Sequence, residues 1–173
     1  MTIQVGDRLP QTTFRVMGPD GPAAKTTDDV FKGRRVVLVA MTGAFTPTCD
    51  RNHLPDYVAR AAEIRAAGAD AIAVTSVNDV FVQQAWARSL GAEGAVEFLA
   101  DGNADFARAL GLALDGSGYG LGTRSQRYAM VVEDGVVQAL SVEDSPARAE
   151  VSGADALLKT LASLNAKGRP VEA

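Results

Sequence analysis

Arg35-Val36-Val37-Leu38-Val39-Ala40-Met41 runs straight into Thr42-Gly43-Ala44-Phe45-Thr46-Pro47-Thr48-Cys49. The first half follows Gly33 and is apolar without alternation, the pattern of a strand covered on both faces. The second half is a turn and then a helix start. Thr46 is placed to cap that helix by accepting from a first-turn N–H. Pro47 has the φ a helix needs and lacks a donor that would be unpaired there. Cys49 falls at the third helical position. The first-turn N–H groups and the positive end of the helix dipole favour an anion there, so the reading expects a thiolate.

Cys49 is the only cysteine among 173 residues. It can form no disulfide within its own chain, so any chemistry it does is that of a single sulfur. One cysteine and one histidine, His53, do not make an ordinary zinc site, which takes three or four protein ligands. The net charge of −4 and the scattered basic residues give no footprint for a phosphate backbone. No basic-then-apolar leader opens the chain, and the longest apolar run, Val36 to Met41, is too short to span a bilayer. These features lead to the expectation of a cytoplasmic protein with no nucleic-acid or membrane partner and no ordinary zinc site.

Outward from the thiol stretch, Gly18-Pro19-Asp20-Gly21-Pro22 marks a turn between short strands near Thr13–Val16 and Lys25–Thr27. Leu54, Tyr57, Val58, Ala61 and Ile64 recur at helical spacing, which predicts one helix from Pro47 to Gly68, kinked at Pro55. Ala71–Thr75 reads as a second buried strand. Asn78 or Asp79 starts a helix to about Leu90, with Phe81, Ala85 and Trp86 inward. Val96–Leu99 is a short strand, and Asn103–Leu110 a helix closed by Gly111. Tyr119–Ser125 is a glycine-rich loop. Tyr128–Val132 and Val136–Leu140 form a hairpin about Glu133-Asp134-Gly135. Ser152 with Asp155 suggests a capping box for a final helix carrying Leu157, Leu161 and Leu164, after which the last residues are expected to fray. The order of elements predicts one α/β domain over residues 1–173, a mixed central sheet with helices on both faces. Its connectivity is that of a thioredoxin-like fold with additional N-terminal and central segments. Cys-x-x-Cys dithiol exchange is excluded, because positions 46 and 52 are Thr and Asn.

Ala44-Phe45-Thr46-Pro47-Thr48-Cys49, followed by His53-Leu54-Pro55 and Tyr57, resembles the active-site signature of peroxiredoxins. More narrowly, the chain resembles the atypical subgroup of mammalian peroxiredoxin 5, plant type II enzymes and bacterial glutaredoxin-dependent relatives. The similarity continues through Ser76-Val77-Asn78-Asp79-Val80-Phe81-Val82, Leu99-Ala100-Asp101-Gly102-Asn103 and Arg124-Ser125-Gln126-Arg127-Tyr128-Ala129-Met130. It implies a thiol-dependent peroxidase for hydrogen peroxide and alkyl hydroperoxides. Cys49 matches the peroxidatic cysteine, Thr46 the threonine that contacts the peroxide, and Arg127 the arginine beside sulfur and substrate. It also implies a homodimer and no metal or prosthetic group.

The family's Pro two residues before the Ala-Phe-Thr-Pro-Thr-Cys run is Thr42 here. This departure leads to the expectation of a thiol pocket more open or less rigid than usual. It also motivates an alternative, a degenerate peroxiredoxin that senses peroxide or signals through a partner without efficient turnover. The stretch where some relatives carry a resolving cysteine reads Arg148-Ala149-Glu150-Val151-Ser152, so an outside thiol must reduce the oxidised sulfur. Glutathione with glutaredoxin is the first candidate, thioredoxin the second. Arg124 is a rival for the cation role. His53 reads as a packing histidine rather than a general base, and Glu143, Asp144 and Glu150 as solvated acids.

Overall fold

A computed structural model describes residues 1–167. The fraying expected at the end of the chain lies mostly outside the described residues. Strands β1 (Thr13–Gly18) and β2 (Gly21–Thr26) form a hairpin, followed by α1 (Thr27–Phe31) and β3 (Arg35–Ala40). After the thiol segment come α2 (Leu54–Ala59), α3 (Ala61–Ala66), β4 (Ala71–Ser76), α4 (Val80–Ser89), β5 (Glu97–Ala100) and α5 (Asp105–Leu110). Two short strands, β6 (Ala113–Asp115) and β7 (Thr123–Ser125), pair with each other. The hairpin β8 (Tyr128–Glu133) and β9 (Val136–Val142) and the helix α6 (Ala154–Ala166) complete the chain.

Seven strands make one mixed sheet in the order β2-β1-β5-β4-β3-β8-β9. β3, β4 and β5 run parallel, while β8 lies antiparallel to β3 on its other side. Every residue of β3 and β4 is buried, because side chains alternate between two separate cores. Val37, Val39, Met41, Ile72 and Val74 meet Leu54, Tyr57, Ile64, Trp86, Leu157 and Leu161 from α2, α3, α4 and α6. Val36, Leu38, Ala40, Ala71 and Ala73 meet Val30, Phe31, Phe106 and Leu110 from α1 and α5. Each fully buried aliphatic side chain of this kind is worth about 1.5–3 kcal/mol. The mixed sheet covered on both faces agrees with the architecture read from the sequence.

Local departures have physical reasons. The helix expected from Pro47 to Gly68 is not continuous. Residues Cys49–His53 form a wide π turn in which the N–H of Leu54 reaches the carbonyl of Cys49. Pro55 explains the widening, since its ring would clash with the carbonyl four residues back and it has no N–H to give. A second break falls at Arg60, whose φ of −107° and ψ of 14° separate α2 from α3. In α4 the inward residues are Val80, Gln83, Trp86 and Ala87, while Phe81 and Ala85 face outward. The first thirty residues are more regular than expected. Thr26 Oγ1 accepts from the N–H of Asp29 and Asp29 accepts from the N–H of Thr26, a reciprocal cap opening α1. Ser152 does not cap α6. That helix starts at Gly153 with no side-chain cap, and Ser152 is turned inward instead.

Candidate active site

The thiol segment begins where β3 ends. The Met41 N–H donates to Thr75 O at 3.0 Å, carrying the strand pairing one residue further. Phe45 then takes a φ of 63°, in the left-handed region that costs a non-glycine residue about 1–2 kcal/mol. Two contacts hold the turn in this shape. The Ala44 N–H donates to Asn78 Oδ1 at 2.8 Å. The Arg124 guanidinium packs on Gly43, where a Cβ would lie 2.8 Å from Arg124 Nη1 and 3.1 Å from Thr46 Cγ2. A side chain at 43 would push the Arg124 guanidinium off this turn. Arg124 also donates from Nε to Leu121 O and from Nη1 to Val77 O, at 3.0 and 3.3 Å. It thus ties the glycine-rich loop, the loop after β4 and the thiol turn together.

Thr46 does not cap in the expected way. Its backbone carbonyl accepts the helical bond from the Asp50 N–H at 2.8 Å, but its hydroxyl donates to Gly43 O at 2.6 Å. Cys49 is a free thiol, 0% exposed, in the same core as Leu54, Tyr57 and Trp86. Thr42 is only 6% exposed, and its hydroxyl has no partner among the described residues. Of the two expectations drawn from Thr42, the more open pocket is not what the structure shows, since the thiol is closed off. Trp86 Nε1 donates to Asp50 Oδ1 at 2.8 Å, fastening the residue after the thiol to α4.

Arg127 stands at the start of β8 and is 2% exposed. Its Nη1 donates to His53 Nδ1 at 2.8 Å and its Nη2 to Pro146 O at 2.9 Å. Its Nε is buried without a partner among the described residues. A guanidinium only donates, so His53 Nδ1 must accept, and Nε2 carries the proton that goes to Ser152 O at 2.9 Å. His53 is accordingly neutral. Burial lowers its pKa to about 4; the Ser152 bond opposes that shift and the Arg127 charge adds to it. The Tyr57 hydroxyl donates to the same Ser152 carbonyl at 2.6 Å. The Ser152 hydroxyl and N–H both donate to Glu143 Oε2, at 2.6 and 2.8 Å. The Glu143 N–H in turn donates to Arg127 O at 2.9 Å. Glu143 is thus buried, not solvated. A buried cation and a buried carboxylate face each other through a neutral imidazole and a serine, with nearly every polar atom paired.

The structure places Cys49 and Thr46 on one turn and brings Arg127 to that turn through His53. The sequence left His53, Ser152, Glu143 and Asp50 outside the site and offered Arg124 only as a rival cation. Spacing offered one clue, since His53 shares a helix face with Cys49; Ser152 meets His53 and Tyr57 from 99 and 95 residues away, and left none. A separate groove of about 710 Å³ lies between the β1–β2 hairpin and the amino ends of β4 and β5, lined by Lys25, Asp70, Glu97 and Phe98. It holds none of these groups.

A buried lone thiol beside a polar network, on a turn leaving a central parallel strand, defines a redoxin. Residues 4–158 match the Redoxin family model. The chain is 47% identical over 165 residues to peroxiredoxin-2E-2, chloroplastic, of Oryza sativa, covering 92% of this chain and 73% of that protein. The crystal structure of reduced Prx3 in complex with hydrogen peroxide from Vibrio vulnificus superposes with a TM-score of 0.88 at 45% identity, covering 92% of this chain and 99% of that one. Peroxiredoxin 5 from Alvinella pompejana superposes with a TM-score of 0.82 at 33% identity, covering 93% and 99%. The chain belongs to the peroxiredoxins, the thiol peroxidases of the redoxin family, in the subgroup of peroxiredoxin 5 and the plant type II proteins.

Proposed function

We propose that this peroxiredoxin reduces hydrogen peroxide and alkyl hydroperoxides through Cys49 alone. The Cys49 thiolate attacks one peroxide oxygen and the O–O bond breaks. The sulfur becomes a sulfenic acid and the other oxygen leaves, taking a proton as water or alcohol. An external thiol then displaces water from the sulfenic acid, forming a mixed disulfide, and a second thiol frees Cys49 and leaves as the disulfide. Glutathione with glutaredoxin is the reductant favoured here, thioredoxin the second.

The observation that carries the single-cysteine reading is that Cys49 is the only sulfur nucleophile in the chain. The roles follow from chemistry. Charge builds on the leaving oxygen, and donors fixed around it lower the barrier. Thr46 supplies a hydroxyl on the thiol turn. Arg127 supplies a buried guanidinium whose Nε–H lacks a partner among the described residues, a group an acceptor oxygen would satisfy. Support for the substrate class comes from the Vibrio vulnificus relative, solved in complex with hydrogen peroxide. We also read the protein as a homodimer, with the exposed aromatics Phe45 and Phe81, 50% and 65% accessible, at the contact. Sedimentation of the reduced protein tests this: a monomer at micromolar concentration rejects it. Peroxide consumption is followed with glutathione and glutaredoxin, then with thioredoxin. Turnover in the first mixture supports the reading; oxidation of Cys49 once, with recycling by neither, contradicts it.

A further inference from the structure

We propose that Asp50 is a positioning residue that, through its bond to Trp86, latches the thiol turn and sets how readily an external thiol reaches Cys49. The inference rests on the external-thiol reading above. Cys49 is fully buried, yet no second cysteine exists to come to it from within the chain. Reduction therefore requires the turn to move out, and its bonds decide how often it does so.

Those bonds are unequal. The far end of the turn is pinned by His53, held by Arg127 and Ser152 inside the protein. The near end has no side-chain cap, and Thr48 Oγ1 makes only a 3.3 Å contact to Ala147 O at the exposed surface. Between them, Asp50 is bonded to Trp86, which is fully buried. The α4 side of that bond is rigid: Asp79 caps the helix start by accepting from the Val82 N–H at 2.8 Å. Gln83 Nε2 fixes it to Ser76 Oγ and Leu99 O, at 2.9 and 3.2 Å. The moving part is thus the turn. It swings about its His53 end, and releasing Cys49 breaks the Asp50–Trp86 bond. A bond to a carboxylate is among the stronger single contacts available at such a place.

The test is alkylation of reduced Cys49 by iodoacetamide, followed against pH. The midpoint of the profile reports ionisation and the high-pH plateau reports opening. Asp50→Ala removes the latch and raises the plateau about tenfold, the effect expected of a charge-assisted bond partly open to water. Asp50→Asn keeps an oxygen acceptor for Trp86 and loses the charge, which leaves about half the bond's strength, so its plateau rises only about threefold. Reduction of the Cys49 sulfenic acid by glutathione in single turnover accelerates in Asp50→Ala by the same factor. A plateau unchanged in Asp50→Ala overturns the proposal, as does a plateau that rises equally in Asp50→Asn. If the plateaus behave as stated but Cys49 does not react with peroxide, the latch stands and the peroxidase reading falls.

Discussion

Two helices leave the carboxyl ends of the adjacent parallel strands β3 and β4, and they begin in opposite ways. α4 starts with Asp79 closing its first turn and runs ten regular residues. The thiol helix starts with its threonine hydroxyl turned back to Gly43, passes through a π turn and breaks at Arg60. The regular helix closes its own first turn with a side chain. On the proposed reading the irregular one leaves its first turn to the chemistry, and its hold comes from His53, Asp50 and the Arg124 clamp. Stability and reactivity are thus divided between neighbours.

The far end of the thiol turn gives the largest expected effect. The imidazole of His53, facing Arg127, Tyr57, Ser152 and Glu143, has its pKa lowered from 6.5 to about 4, chiefly by burial. Between these values the unfolded chain takes up a proton that the folded chain refuses. The stabilisation is complete above the unfolded value and is lost as pH falls toward the folded one. It amounts to about 3 kcal/mol. Urea melts of wild type and His53→Gln at pH 7 and pH 4.5 isolate this from the carboxylates: the wild type's advantage shrinks in acid. An equal gap at both pH values contradicts the neutral, buried imidazole.

The next two substitutions sharpen the contrast directly. Thr46→Val is expected to lower kcat/KM for peroxide about a hundredfold, as loss of a donor at a developing oxyanion does, the hydroxyl turning from Gly43 O to the peroxide, with stability reduced by about 1 kcal/mol or less. Asp79→Ala is expected to do the reverse, costing about 1 kcal/mol in stability and changing kcat/KM only severalfold. If Asp79→Ala lowers activity as much as Thr46→Val, the two helix starts are not divided as described. The smallest effect belongs to the exposed Asp155, paired with Arg60 beside the break between α2 and α3. Asp155→Ala leaves melting and activity unchanged, because pairs open to water contribute little.

Much of this arrangement is legible in the sequence. The unbroken apolar runs of β3 and β4 announce strands buried on both faces, and Thr-Pro before Cys49 announces a helix start. Asp79 is readable as a cap because a cap is local. The π turn was hidden, since Pro55 announces a distortion without saying whether the helix kinks or widens. Ser152 and Asp155 have the spacing of a capping box, but Ser152 is drawn inward by Glu143, His53 and Tyr57. Glu143 looks like a surface acid until β9 and the loop after it bury its carboxylate on Ser152. His53 and Tyr57 stand 99 and 95 residues from Ser152, and no periodicity encodes such partners.

Mass spectrometry of the protein after one equivalent of hydrogen peroxide, followed by excess glutathione, tests the central claim most directly. The account predicts one oxygen atom added at Cys49, trapped by a sulfenic-acid reagent, and its loss through a glutathione adduct, with no peroxide consumed by Cys49→Ser beyond the protein-free rate. An unmodified Cys49, or a Cys49→Ser protein that still consumes peroxide, would contradict it.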